Sequence, residues 1–260
     1  MASGYAKNIE ATLIFGKRWR EPMYELLDNP IWNALSKEQS GFSVGDEFAR
    51  RFLPSIGPLS GLSEQSVAAY ASLKQLCKSD EQLVLFLPEP PSIPADWHLD
   101  VDGRLVQMVL EQEADRGLEQ GDGPQAEKTG FEKISRLTQA DVPEMLELTH
   151  MTKPGPFREQ THELGAYLGI RIQGQLVAMA GERLKPSGLV EVSAVCTHPQ
   201  FQGQGYAQAL ISAVCQQIKA QHKTPFLHVW SENARAIQVY EKLGFRIRRK
   251  LYLAVVSHSA

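Results

Sequence analysis

The chain has 260 residues, of which 43% are hydrophobic and 22% are charged, so it can form one large domain or two small ones with buried cores. Its 27 Lys and Arg residues against 30 Asp and Glu residues give a formal net charge of -3, which excludes a broad basic surface for nucleic acid. No apolar stretch approaches the roughly 18 residues of a membrane span, and residues 1–18 lack the pattern of a secretion signal. We therefore expect a cytoplasmic protein without nucleic-acid or membrane partners.

Three cysteines are present, Cys77, Cys196 and Cys215, and they have neither metal-ligand spacing nor a secretory context. Cysteines of this kind usually fill core positions as reduced thiols. We therefore expect free thiols and no metal cofactor.

The first half of the chain gives a few short signals. Residues 63–77 predict a helix, because their apolar residues recur at helical spacing. The apolar run 83–87 is typical of a buried strand, and residues 97–110 predict a hairpin that turns near Asp102 and Gly103.

A linker is predicted over residues 113–130, where acidic residues, glutamines and four glycines replace any apolar periodicity. It divides the chain into an N-terminal α/β domain, residues 1–112, and a second domain, residues 131–260.

The second half alternates between strand and helix signals. Strands are predicted near 131–137 and over 167–172, 176–183, 189–197, 226–230 and 245–256, and helices over 140–151, 205–221 and 233–243. Gln173 and Gly174 predict a tight turn between the second and third of these strands. This order indicates a mixed α/β (α+β) fold.

A glycine-bearing turn connects the predicted strand 189–197 to the predicted helix 205–221. Its residues are Gln202, Gly203, Gln204, Gly205, Tyr206 and Ala207. A turn that enters a helix in this way exposes backbone N–H groups and the positive end of the helix dipole, which favour phosphate. The turn is not a dinucleotide-binding fingerprint, because Gln208 stands where the third glycine would fall. Taken alone, it is explained as well by close packing at a helix start.

A second motif follows, consisting of Asn233, Ala236, Tyr240, Gly244 and Phe245. Helical spacing places the first three on neighbouring turns, and the glycine fits the end of the helix. The two motifs together resemble the signature of the GNAT superfamily of N-acetyltransferases, over about residues 131–256. The first motif matches at Gln202, Gly205 and Ala207, and the second matches at all five positions.

The resemblance implies a GNAT fold with a central mixed, splayed β-sheet flanked by helices, and acetyl-CoA as co-substrate. It implies that the glycine turn holds the CoA pyrophosphate and that Val195, Cys196 and Thr197 pair with pantetheine. Asn233 is expected to contribute to the same site. The Val195 N–H is expected to polarise the thioester carbonyl, because acyl transfer through a tetrahedral intermediate needs a fixed donor at the developing oxyanion.

The resemblance also implies catalytic residues for transfer of acetyl to a primary amine. Tyr240 is expected to protonate the departing thiolate. Glu191, in an otherwise apolar strand just before Val195, is the first candidate for the base, with Glu182 and His228 as alternatives. Each of these three side chains is also explained by an ordinary structural ion pair or hydrogen bond. The loop over residues 154–157 is expected to form one wall of the acceptor site.

Two questions stay open at this point. The first half of the chain faintly resembles the end of a GNAT fold and is a candidate for a decayed second copy, as in glycine N-acyltransferase-like proteins. Such a copy lacks the glycine turn that binds CoA and is expected instead to cover the sheet or to shape the acceptor site. The protein is either an acetyltransferase or a non-catalytic module that senses acyl-CoA or a partner. Because both motifs follow the linker, we expect a fragment from about residue 129 to keep some CoA binding but to lose stability and acceptor turnover.

Overall fold

The computed structural model describes residues 22–110 and 134–259. The helices in these ranges are α1 (Pro22–Glu25), α2 (Pro30–Leu35), α3 (Val67–Gln75), α4 (Val142–Thr152), α5 (Tyr206–Ala220) and α6 (Ala234–Lys242). The strands are β1 (Ser43–Gly45), β2 (Ala49–Phe52), β3 (Ser60–Leu62), β4 (Leu83–Leu87), β5 (His98–Leu110), β6 (Ser135–Arg136), β7 (Tyr167–Ile172), β8 (Gln175–Glu182), β9 (Leu189–Thr197), β10 (Thr224–Trp230) and β11 (Phe245–Ser257). The predicted mixed α/β class is confirmed.

Eight of these strands form one large sheet in the order β4-β11-β5-β10-β9-β8-β7-β6. Neighbouring strands are antiparallel throughout, except for β9 and β10, which are parallel. Parallel neighbours need a crossover connection, and α5 provides it here. A separate three-stranded sheet, β1-β2-β3, lies in the first half of the chain.

Strand β5 is one continuous element, so the hairpin predicted over residues 97–110 is wrong. The pair Asp102 and Gly103 suggested a turn, but β5 pairs with β11 from end to end. Gly103 serves a close contact instead, because a Cβ at this position would overlap the ring of Trp230. A glycine inside a strand often marks such an approach of another group.

Side-chain alternation explains why β5 lies inside the sheet. Val106 and Met108 belong to the apolar cluster that includes the buried face of α5, whereas Leu105 and Val109 belong to a second cluster with α2. Successive residues of a strand point to opposite faces, so the second half of β5 is covered on both faces, whereas residues 98–102 are exposed. A strand that is apolar on both faces is typical of the interior of a covered sheet.

The large sheet extends across the predicted domain boundary. β5 lies between β10 and β11, and β4 pairs with the other edge of β11. The linker predicted over residues 113–130 lies outside the described residues, as do residues 1–18. The division into two domains and the decayed second copy stay predictions, and strands from both halves complete one sheet.

Most predicted elements agree with the structure in position. Those predicted between residues 140 and 256 agree within two residues at each end. The helix predicted over 63–77 is the shorter α3, because the Ser66 hydroxyl accepts a hydrogen bond from the Ala69 N–H at 3.2 Å and fixes the first turn. The strand predicted near 131–137 is described only as Ser135–Arg136. No helix in the described ranges is long and apolar enough to cross a membrane.

Candidate active site

Strands β9 and β10 run side by side for only three residue pairs and then separate. The last pair joins Glu191 to Phe226. Beyond it, β9 pairs only with β8 and β10 only with β5. The splay that the family resemblance implied is therefore present, and it opens into a cleft of about 640 Å³.

A β-bulge in β9 lies beside the cleft. Ala194 and Val195 together lie opposite the single residue Ala180 of β8. Ala194 has a φ of 50°, a left-handed conformation that costs a residue with a Cβ about 1–2 kcal/mol. A bulge interrupts the ladder and re-aims the strand. Val195 and the following Cys196 and Thr197, which the sequence predicted to pair with pantetheine, line the cleft.

The glycine turn borders the same cleft at the start of α5. Gly203 and Gly205 have φ values of 80° and 82°, which glycine adopts without strain. No side chain caps the start of α5, so its first N–H groups lack that partner. A Cβ on Gly203 would meet nothing within 4 Å, which shows open space beside this backbone. The turn thus combines a helix start without a side-chain cap, the positive end of the helix dipole and room for an anion.

The polar side chains of the turn hold it in shape. Gln202 donates from Nε2 to the Thr197 carbonyl at 3.5 Å, and the Tyr206 hydroxyl donates to Gln204 Oε1 at 2.9 Å. Of the six predicted turn residues, all except Gln204 line the cleft in the described part of the chain.

Helix α6 brings the second motif to the cleft. Asn233 Oδ1 accepts a hydrogen bond from the Ala236 N–H at 3.0 Å and thereby caps the helix. Tyr240 lies two turns further on and lines the cleft together with Asn233. Burial raises the pKa of Tyr240 to about 12, so the hydroxyl keeps its proton at neutral pH.

The cysteines are free thiols in the described residues. Burial raises the pKa of Cys196 to about 11 and that of Cys215 to about 12. Cys196 lines the cleft but carries a protonated thiol, so it is not an activated nucleophile. The described residues contain no group of three or more His, Cys, Asp or Glu side chains that could hold a metal ion.

Glu191 is fully buried and saturated with donors. Arg183 donates from Nε and Nη2 to its two oxygens, both at 2.8 Å, and His228 Nδ1 lies 2.7 Å from Oε1. The Leu184 N–H is a further donor at 3.3 Å. Burial alone would raise the pKa of this carboxyl, but the charge of Arg183 and the hydrogen bonds outweigh it and lower the pKa to about 2. A carboxylate held in this way is poorly suited to take a proton from an amine. The role of Glu191 as the base stays a prediction.

His228 is equally held on both ring nitrogens. Gln107 Nε2 lies 3.0 Å from His228 Nε2, and its orientation is set because the same amide donates to the Leu27 carbonyl and accepts from Arg248. Nε2 of His228 is therefore an acceptor, and Nδ1 carries the hydrogen that it donates to Glu191. Neither nitrogen is left for an acceptor amine.

Glu182, the other alternative base, lies outside the lining of the cleft in the described residues. Its side chain is 3% exposed, and Oε2 forms an ion pair with Lys185 at 2.8 Å. Its second oxygen, Oε1, is buried without a hydrogen-bond partner among the described residues.

The loop after α4 forms one wall of the cleft only in part. Pro154, Gly155 and Pro156 line it, whereas Phe157 packs edge-on against Tyr167, with ring centroids 5.6 Å apart. Phe157 therefore lies outside the cleft lining that the structure describes.

The first half of the chain supplies an apolar end to the cleft. Leu59, Val84, Phe86 and Leu105 line it there, beside Leu253 of β11. No motif in the sequence placed these residues at the cleft. The unbroken apolar run of β4 indicated a buried strand. It did not indicate that β4 pairs with β11.

The charged side chains that line the cleft in the described ranges are all cationic, namely Lys153, Arg183 and Arg235. No aspartate or glutamate lines it in those ranges. This charge suits a phosphorylated ligand and provides no carboxylate base.

A splayed sheet, an uncapped glycine turn and a tyrosine on the next helix are the features that the resemblance to GNAT acetyltransferases implied. A GNAT-family protein from Novosphingobium aromaticivorans DSM 12444 is 37% identical in sequence. The match covers 90% of this chain and 99% of that chain, with a TM-score of 0.77. The chain therefore belongs to the GNAT family.

Other matches are shorter or more distant. A family model described as FR47-like protein matches residues 167–254. A GCN5-related N-acetyltransferase from Kribbella flavida is 14% identical over 89% of this chain and 96% of its own, with a TM-score of 0.56, and a Drosophila protein is 14% identical over 80% and 73%, with a TM-score of 0.54. At this identity the likeness shows the fold alone. No curated protein matches the sequence.

Proposed function

We propose that the protein transfers an acetyl group from acetyl-CoA to an amine, in the cytoplasm. One observation supports this most: the gap between β9 and β10, the glycine turn and Tyr240 all border a single cleft. A phosphate site, an oxyanion donor and a proton donor are the parts that acyl transfer from a CoA thioester requires.

The CoA pyrophosphate lies on the backbone N–H groups of the turn from Gln202 to Ala207. Lys153 and Arg235 add positive charge for the phosphates, since both line the cleft. The pantetheine arm follows Val195, Cys196 and Thr197, whose backbone has no pairing with β10. Open strand edges of this kind pair readily with an extended ligand.

The transfer itself is a direct attack of the amine nitrogen on the thioester carbon. The Val195 N–H stabilises the oxyanion of the tetrahedral intermediate. As the C–N bond forms and the C–S bond breaks, Tyr240 gives its proton to the thiolate and is reprotonated from solvent. The surplus proton of the amine passes to water, because no carboxylate lines the cleft in the described ranges.

Glu191 takes a supporting role in this scheme. Its carboxylate orients Arg183 and His228 at the acceptor end of the cleft and accepts four hydrogen bonds there. A carboxylate with a pKa of about 2 is a weak base at neutral pH.

The test combines calorimetric titration of the full-length protein with acetyl-CoA and a thiol-release assay over a panel of amines. We expect binding together with CoA release that depends on the amine. The other candidate is a sensor that binds acyl-CoA without turnover, which the lack of a carboxylate in the described cleft lining favours. Binding without release over the whole panel would establish the sensor and exclude the transferase.

A further inference from the structure

Two nitrogens of the Arg183 guanidinium, Nε and Nη2, are bound by Glu191, and the third, Nη1, lies beside the cleft. Nε and Nη2 are held by Glu191 at 2.8 Å each, and the side chain is 10% exposed. Nη1 has no hydrogen-bond partner among the described residues, and it lies 3.8 Å from the place a Cβ would occupy on Gly155. Because Gly155 and Arg183 both line the cleft, this nitrogen is a donor offered to whatever binds there.

The surroundings of this donor are apolar. Phe86 lies below the guanidinium, with 5.8 Å from the Arg183 Cζ to the ring centroid, and Leu105 and Leu253 line the same end of the cleft. A ligand that reaches Arg183 therefore buries an apolar group against these side chains and must satisfy one N–H donor.

Charge balance decides what kind of acceptor atom suits Nη1. The positive charge of Arg183 is already matched by Glu191, and His228 contributes a hydrogen bond without a proton on Nε2. A carboxylate from the ligand would add a second negative charge close to Glu191 in an apolar environment, which is costly. A neutral carbonyl oxygen accepts the same hydrogen bond without that cost.

The amine must also arrive without help from a base. No carboxylate lines the described cleft, so an amine that is partly neutral in solution is favoured over a strongly basic one. The pKa of an α-amino group is about 7.8, against about 10.4 for a lysine side chain. A larger share of an α-amine is therefore reactive at neutral pH.

We propose that the acceptor is an α-amino amide with an apolar side chain, whose carbonyl oxygen is bound by Arg183 Nη1. The chemistry is shared by a free amino-acid amide and by the first residue of a peptide. This inference rests on the proposed acetyltransferase function and specifies its acceptor.

The first experiment measures kcat/KM of the wild-type protein with leucinamide, leucine, 3-methylbutylamine, glycinamide and the amide of Leu-Gly. Rates are expressed per neutral amine, so that basicity does not decide the order. We expect leucinamide to exceed 3-methylbutylamine, which lacks the carbonyl, by ~10–100-fold, as for a hydrogen bond to a charged group. It should also exceed leucine and glycinamide. The Leu-Gly amide distinguishes a free amino-acid amide from the first residue of a peptide. Only a site built for a peptide should acetylate the Leu-Gly amide as efficiently as leucinamide.

A second experiment compares Arg183→Lys with Arg235→Lys, the same change at another cleft arginine. Lysine keeps a cation beside Glu191 but lacks the planar fork that reaches a second partner. The preference for leucinamide over 3-methylbutylamine should fall by ~10-fold or more in Arg183→Lys. In Arg235→Lys this preference should stay, while the KM for acetyl-CoA rises.

Three results would overturn the inference. Equal rates with leucinamide and 3-methylbutylamine in the wild-type protein would remove the carbonyl contact, while leaving the acetyltransferase function in place. A preference for leucine would assign a carboxylate to Arg183 instead. No CoA release with any amine would refute both the inference and the function on which it rests. The rates of the wild-type protein with the five amines test the inference even if the Arg183→Lys variant does not fold.

Discussion

Arg183 and Glu191 form a two-pronged ion pair between the end of β8 and the middle of β9, with Nε–Oε2 and Nη2–Oε1 distances of 2.8 Å. Gln39, in the first half of the chain, fixes the backbone next to this ion pair. Its side chain donates to the Arg183 carbonyl at 2.8 Å and accepts from the Lys185 N–H at 2.9 Å. Through Gln39, the first half of the chain contacts the segment that carries Arg183 at the acceptor end of the cleft.

We expect Glu191→Gln to lower the free energy of unfolding by about 3–5 kcal/mol, because it leaves the Arg183 charge buried without its partner. Glu144→Gln is the matched control, since Glu144 pairs with Arg171 at 2.8 Å but is 41% exposed. The control should lose at most about 1 kcal/mol. Urea unfolding measures both. If the Glu191→Gln protein kept wild-type stability but lost activity, the result would instead support Glu191 as the base.

The same carboxylate should make stability depend on acid. The pKa of Glu191 is about 2 in the folded protein, below its ordinary value of 4.5, which we take for the unfolded chain. A depressed pKa stabilises the fold fully above the unfolded value and loses this effect as the pH falls toward the folded value. Between about pH 4.5 and pH 2, the stability difference between wild type and Glu191→Gln should therefore shrink. Urea titrations at several pH values test this, and a constant difference would contradict it.

Tyr240→Phe should reduce kcat by ~100-fold or more and leave the Kd for acetyl-CoA unchanged, because the hydroxyl acts only on the leaving thiolate. With a pKa of about 12, Tyr240 should cause no alkaline loss of rate near neutral pH. Tyr252→Phe is the control, since Tyr252 packs under Arg104 and lies outside the described lining of the cleft. Equal turnover in Tyr240→Phe and Tyr252→Phe would make Tyr240 a packing residue.

Gly203→Ala should weaken acetyl-CoA binding while costing little more stability than Gly174→Ala. Both glycines have positive φ, 80° and 87°, and a Cβ on either meets nothing within 4 Å. The backbone strain is therefore matched, at about 1–2 kcal/mol each. Only the methyl group on Gly203 enters the proposed phosphate site. Calorimetry and thermal melting measure the two effects, and equal Kd values in both variants would remove the turn as the pyrophosphate site.

A fragment from about residue 129 to the end should fail to fold and should not bind acetyl-CoA. The motif positions alone suggested that such a fragment keeps some binding, but the sheet order changes this expectation. The neighbours of β11 are β4 and β5, both in the first half, and β10 loses β5 as well. Circular dichroism and CoA titration beside the full-length protein provide the measurement. A folded, CoA-binding fragment would show that the second half is autonomous.

Local sequence was enough to predict the parts of the site that depend on neighbouring residues. The turn that contains Gly203 and Gly205, and the helix capped by Asn233, follow from backbone conformations and hydrogen bonds within a few residues. The order of strands and helices after residue 134 followed in the same way from periodicity. Family membership rested on these motifs and was confirmed by the 37% identical relative.

Tertiary structure alone decided which distant residues meet. In the second half of β5, Val106 and Met108 are buried on one face and Leu105 and Val109 on the other. An apolar pattern does not identify the partner strands, so the position of β5 between β10 and β11 was not predictable from the sequence. The sequence makes Glu191 a candidate base in an apolar strand, and only the structure shows that Arg183 and His228 lie against it. The charge of a buried carboxylate is set by the groups that surround it in space, and those groups come from other strands.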